Sequence, residues 1–194
     1  MVGAIINKVM EVEAQRLKGL LLISPEIYRD DRGFFLETYR DSFLREMGIP
    51  KLIQHNQSRS IYGVLRGLHF QKNSPQGKLI RVSKGSIFDV AVDIRRESET
   101  FGEWFGTILD DEKHKQLWIP PNFAHGFLVL SSIADVHYSC SNYYDPNSEK
   151  GILWNDPKLN IKWPKLKNKL KPILSRKDND NFSLSDLNKD DLPN

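Results

Sequence analysis

The chain has 194 residues, 39% of them hydrophobic, with 28 Lys and Arg against 25 Asp and Glu for a formal charge of +3. That length suits one ordinary domain, and so mild a charge argues against a nucleic-acid partner in the absence of a clustered basic face. The lone cysteine, Cys140, excludes an internal disulfide and a Cys-x-x-Cys or Cys/His zinc cluster, which fits a reducing cytoplasm.

Lys8, Glu11, Glu13, Arg16 and Lys18 interrupt the first twenty residues, so no apolar export segment is expected there. No later window approaches the roughly 18 consecutive apolar residues of a spanning helix, so a soluble, unexported chain without a membrane partner is expected. Turn signals then recur at short intervals: Asp30-Asp31-Arg32-Gly33, Gly48-Ile49-Pro50, Tyr62-Gly63, Asn73-Ser74-Pro75, Lys84-Gly85, Pro120-Pro121-Asn122 and Asp145-Pro146-Asn147. The runs between them are rich in Val, Ile, Phe and Tyr, and many short strands at this spacing predict an all-β sandwich or barrel. One short helix is predicted over Ser42 to Met47, with Asp41 as its N-cap and Gly48 as its stop.

The segment Gly63 to Gln71, G-V-L-R-G-L-H-F-Q, sets Arg66 and His69 inside an apolar strand pattern. Simple alternation puts Arg66, Leu68 and Phe70 on one side and Leu65, Gly67 and His69 on the other. A bulge at Gly67 would turn both polar side chains toward one cavity. The next predicted strand, Lys78 to Val82, brings an ammonium beside them. Two cations and a titratable base suit an anionic substrate that loses a proton, although a lone strand histidine is equally compatible with a hydrogen-bonded core position. Along Phe88 to Ile94, Phe88, Val90, Val92 and Ile94 share one face. Asp89, Ala91 and Asp93 share the other, which should meet solvent or line a pocket. His125, in F-A-H-G-F, reads on pattern alone as a core histidine. From Trp163 onward the chain is expected to wrap the barrel without adding strands, and the basic run Lys165 to Lys171 reads as a solvated edge.

In order along the chain come R-G-F-F-L-E (Arg32 to Glu37), Q-H-N-Q-S (Gln54 to Ser58), R-G-L-H-F-Q, Q-G-K-L-I-R-V and F-D-V-A-V-D-I-R. Q-L-W-I-P, F-A-H-G-F-L-V-L, N-Y-Y-D-P, W-N-D-P and I-K-W-P follow. This series resembles the dTDP-4-dehydrorhamnose 3,5-epimerase family from about Leu20 to Asp178. The resemblance implies a cupin-type jelly roll with short peripheral helices, a single domain over residues 1–194 with a core of about 20–164 and a C-terminal wrap of 165–194. It also implies a homodimer with exchanged N-terminal strands, a dTDP-sugar substrate, and no metal or cofactor.

The roles implied by the resemblance are specific. His69 is the base, oriented by Asp178 from the S-x-K-D pattern that Ser175, Lys177 and Asp178 match. Tyr138 is the acid, and a phenol whose ordinary pKa is about 10 is protonated at neutral pH. Lys78 and Arg66 are cations for the enolate oxygen and the diphosphate, with their division of labour open. His125 joins the pocket with Asp89 behind it. Arg32, Glu37, Gln54, Asn56, Glu149 and Lys177 match substrate-contacting positions. His55, Gln57 and Phe70 depart from common family residues, and the segment Gln71 to Gln76 is a residue shorter than in some members. Three rivals remain. One is a single-centre epimerase of a related dTDP-4-keto-6-deoxy sugar, which would share nearly all these motifs. A metal-dependent cupin would ordinarily begin its ligand set with H-x-H, whereas here Phe70 and Gln71 follow His69. A non-catalytic sugar-nucleotide binding module would need no His69 and Tyr138 together.

Overall fold

The computed structural model describes residues 10–193; residues 1–9, part of the stretch read above for an export segment, and Asn194 lie outside it. Two antiparallel sheets face each other. The larger contains β1 (Met10–Ala14), β2 (Leu21–Pro25), β5 (Gln54–Ile61), β7 (Lys78–Lys84), β10 (Gln116–Ile119) and β12 (Ile133–Cys140), in the order β1-β2-β10-β7-β12-β5. The smaller contains β6 (Leu65–Gln71), β8 (Ser86–Asp93), β9 (Trp104–Asp110), β11 (Phe123–Val129) and β13 (Glu149–Gly151), in the order β13-β6-β11-β8-β9. A separate hairpin, β3 (Ile27–Asp30) with β4 (Gly33–Leu36), carries the R-G-F-F-L-E motif. This is the all-β sandwich that the short-strand pattern predicts, in the jelly-roll form that the resemblance implies.

Period-2 alternation explains where the core lies. Ile80, Val82, Ala134 and Val136 from the larger sheet meet Ile87, Ala91, Phe127 and Val129 from the smaller, all buried between the sheets. The far face of the smaller sheet is also covered. Leu68, Phe70, Val90, Val92 and Ala124 pack there against Trp163, Leu184 and Leu192 of the C-terminal wrap. Among the described residues that wrap joins the sheets only through isolated bridges, Ile173 to Val64 and Phe182 to Ile152, and adds no strand. Along its basic run Leu166 is buried while Lys165, Lys167, Lys169 and Lys171 are exposed.

Two details differ from the sequence reading. In helix α1 (Asp41–Glu46) Arg40 occupies the N-cap position without a side-chain capping bond, and Asp41 stands in the first turn, where it pairs with Arg45. Asp89 and Asp93 neither meet solvent nor line the cavity described below; both are fully buried. Asp89 bonds His125. Asp93 accepts bonds from the Arg95 guanidinium and the Ser98 and Thr100 hydroxyls, clamping the loop between β8 and β9. Burial alone would push the Asp93 carboxyl up, but those bonds outweigh it and hold the pKa at about 2.

Candidate active site

The β6 strand carries a bulge. Phe127 of β11 pairs with Arg66 and His125 pairs with His69, so two β11 steps span three on β6. The extra residue returns Arg66 and His69 to the same inner side, which unbroken alternation would forbid. Gly67 makes this possible: its φ is +120°, and a Cβ there would lie 2.5 Å from the Gly126 Cα and 2.7 Å from the His125 carbonyl oxygen.

Beside the bulge, a cavity of about 220 Å³ opens between the sheets, lined among others by Asn56, Ser58, His69, Lys78, Tyr138 and Glu149. His69 and Glu149 come from the smaller sheet; Asn56, Ser58, Lys78 and Tyr138 come from the larger. Strand register accounts for this wall. Tyr138 stands opposite Asn56, and Cys140 opposite Lys78, so each pair shares the inward face.

His69 Nε2 lies 2.5 Å from Asp178 Oδ1. Asp178 is buried on α2 (Arg176–Asn179), whose N-cap, Ser175, also bonds its second carboxylate oxygen at 2.8 Å. Burial pushes the Asp178 carboxyl up, but bonds from His69, Ser175 and the Gly67 backbone prevail and hold it below the usual aspartate range. An ionised carboxylate only accepts, so Nε2 carries the imidazole hydrogen and Nδ1 keeps the lone pair.

Tyr138 is packed against the core, with its ring centroid 6.3 Å from that of His125, and its hydroxyl lies 3.0 Å from Ser58 Oγ. Burial pushes its pKa up to about 12, against the lowering effects of Ser58 and Arg66. Lys78 forms no ion pair among the described residues. Burial pulls its pKa down, partly offset by Cys140, Glu149 and Asp89. Glu149 accepts from Lys177 and from the Tyr144 hydroxyl, which with His69 hold its carboxyl low despite burial.

The structure therefore gathers His69, Lys78, Tyr138, Asn56 and Glu149 around one cavity, with Asp178 and Lys177 directly behind. Gln54 sits at its edge, bonding Asn56 and the Tyr144 backbone. Arg66 and His125 stand beside the cavity without lining it. Arg66 donates to Ser60 Oγ at 3.0 Å, and His125 is buried with its Nε2 2.9 Å from Asp89. Arg32 and Glu37 do not reach it: Arg32 pairs with Asp30 in the exposed hairpin, and Glu37 pairs with Arg40. Ser58, Cys140 and Tyr144 have places that residue-type reasoning missed, although alternation along Gln54 to Ser58 puts Ser58 on the Asn56 face. Among the described residues no group of three or more His, Cys, Asp or Glu side chains is arranged to hold a metal ion.

The sequence profile of the family described as dTDP-4-dehydrorhamnose 3,5-epimerase matches residues 14–186. The dTDP-4-dehydrorhamnose 3,5-epimerase of Escherichia coli K12 is 47% identical over 181 residues, 92% of this chain and 96% of that protein. The enzyme of that name from Methanothermobacter thermautotrophicus is 50% identical over 149 residues, 76% of this chain and 80% of the relative. The crystal structure of the Legionella pneumophila dTDP-6-deoxy-D-glucose-3,5-epimerase with dTDP-4-keto-L-rhamnose superposes with a TM-score of 0.91 at 46% identity, covering 95% of this chain and 97% of that one. On a match this long, carried by a site of this geometry, the chain belongs to the dTDP-4-dehydrorhamnose 3,5-epimerase family.

Proposed function

We propose that the cavity inverts C3 and C5 of dTDP-4-dehydro-6-deoxy-D-glucose, giving dTDP-4-dehydro-L-rhamnose. The observation that carries this reading is the placement of His69 and Tyr138 on opposing sheets across one cavity. A sugar between them meets a base on one face and an acid on the other, which is what inversion of a carbon requires. His69 Nδ1 takes the proton from a carbon next to the 4-keto group, while Asp178 stabilises the imidazolium that forms. The C–H electrons pass to the C4 oxygen, and the Lys78 ammonium receives that enolate. Tyr138 then returns a proton to the opposite face. C3 and C5 both flank C4, so one enolate partner serves both centres. The shared two-centre name of the relatives favours inversion at both over a single-centre epimerase.

The cavity is smaller than the roughly 300–1,000 Å³ that encloses a drug-sized ligand, so it suits the sugar while the diphosphate and nucleoside run outward. A second copy of the chain then completes the site, its hairpin bringing Arg32 to the diphosphate and Glu37 to the base. Two observations support this: neither residue reaches its own chain's cavity, and Phe34 and Phe35 between them are 53% and 71% exposed. We assign Gln54 and Asn56 to polar contacts with the nucleotide, and Glu149 and Lys177 to the sugar side. The reading further takes residues 1–194 as one domain acting in the cytoplasm; among the described residues no helix is long and apolar enough to cross a membrane.

The test is incubation with the substrate in heavy water, with no added metal or nicotinamide. Deuterium should enter at both C3 and C5 of an inverted product. Tyr138→Phe keeps the ring but deletes the transferable proton, so inversion should fall by roughly 10²- to 10⁴-fold while label still washes in from the His69 side. A Tyr138→Phe protein that forms fully inverted product at the wild-type rate would show that the acid lies elsewhere.

A further inference from the structure

Along β5, Asn56, Ser58 and Ser60 pair with Tyr138, Val136 and Ala134, so all three side chains share the inward face. The two hydroxyls are divided between two functional groups: Ser60 Oγ accepts from Arg66, and Ser58 Oγ contacts the Tyr138 hydroxyl. Ser58 is the one hydrogen-bond partner of that hydroxyl among the described residues. The rest of the ring lies among His125, Phe127 and apolar core side chains, while the Arg66 guanidinium acts on its hydroxyl through space without bonding it.

When Tyr138 protonates carbon, its O–H bond breaks and a C–H bond forms. The C4 carbonyl is restored, and the charge passes to the phenolate oxygen. That oxygen then has only acceptor capacity, so the Ser58–Tyr138 contact survives the step only with Ser58 as donor. We propose that Ser58 is a positioning residue for the acid: its hydroxyl donates to the Tyr138 oxygen, leaves the phenolic proton free for the reacting carbon, and strengthens its donation as the phenolate forms. No bond of Ser58 breaks in this step; water at the cavity mouth reprotonates Tyr138 and takes the proton from His69 after each inversion, so that both are reset before the second centre reacts and again before the next turnover. This inference rests on the assignment of Tyr138 as acid.

The experiment compares Ser58→Ala, Ser58→Thr, Tyr138→Phe and the Ser58→Ala/Tyr138→Phe double variant in heavy water, reading inversion and deuterium exchange separately. Ser58→Ala should lower kcat for inversion about tenfold to a hundredfold, the effect of losing one hydrogen bond to a developing charge, with little change in KM. The ratio of exchange to inversion should rise, because proton removal by His69 is untouched; a merely structural role would lower both together. Ser58→Thr should restore much of the inversion, and Ser58→Ala should add nothing in the Tyr138→Phe background. Wild-type kcat and ratio in Ser58→Ala, alongside an impaired Tyr138→Phe, would overturn the role of Ser58 alone. A further loss in the double variant would overturn it as well. Wild-type inversion by Tyr138→Phe would instead remove the acid assignment on which the proposal stands.

Discussion

Lys78 shows most directly how single residues in this site balance stability against activity. Its half-buried ammonium lines the cavity wall without an ion-pair partner among the described residues, and burial pulls its pKa down. A group whose folded pKa is depressed in this way opposes folding at neutral pH, where it must stay charged, and the opposition fades as pH rises and the amine neutralises. Lys78→Met should therefore raise the melting temperature slightly at pH 7, while lowering kcat by roughly 10²- to 10³-fold through loss of the enolate partner. If Lys78 is the enolate partner as proposed, the wild-type rate should decline on the alkaline side below the ordinary lysine value of about 10.4, because only the charged amine would stabilise the enolate. Thermal melts and a pH–rate profile check both. A Lys78→Met protein that is clearly less stable than wild type would mean that the ammonium is a structural tie.

At the scale of elements, the bulge in β6 decides whether there is a site at all. Gly67 has both a positive φ and no room for a Cβ, and the crowding atoms belong to the β11 backbone, which cannot rotate aside. Gly67→Ala should cost about 2–4 kcal/mol from combined strain and overpacking, lowering the melting temperature by roughly 5–15 °C. Activity measured well below that temperature should also drop, because separating β6 from β11 moves Arg66 and His69. A variant with native stability and native kcat would show that the bulge is dispensable. This element was legible in the sequence because a glycine between two polar side chains in an apolar strand has few other uses. The start of α1 was not, since Asp41 at the head of a helix satisfies either a capping or a first-turn reading, and only the backbone geometry puts Arg40 at the N-cap position. Nor was the burial of Asp93. Its partners Ser98 and Thr100 lie in a loop whose path alternation does not describe.

For the whole molecule, residues close in sequence to a strand pattern were easier to place than residues whose meaning depends on a long path. Lys78 and Tyr138 face the cavity by the register of their strands and His69 through the β6 bulge, whereas the role of Tyr138 was implied only by the family resemblance. Asp178 sits on a four-residue helix that reaches His69 only after the C-terminal wrap crosses the smaller sheet, and no local periodicity predicts that arrival. Arg32 and Glu37 go a step further, since one chain alone leaves them outside the cavity. If a second copy supplies them, sites are shared, and two crippled chains can rescue each other. A His69→Ala chain has a dead cavity but an intact hairpin; an Arg32→Ala chain has an intact cavity but a defective hairpin. In a mixed dimer the cavity of the Arg32→Ala chain receives the hairpin of the His69→Ala chain, so one of its two sites is whole. Refolding the two variants together should restore activity approaching half the wild-type value per mixed dimer, whereas each variant refolded alone should remain impaired. On the proposed assignment, the Arg32→Ala chain alone should show its defect mainly in KM, since it would lose a contact to the diphosphate while keeping the proposed base and acid. Mixtures no more active than the sum of their separate components, under conditions where mixed dimers are verified by mass, would place Arg32 and the catalytic cavity within one chain.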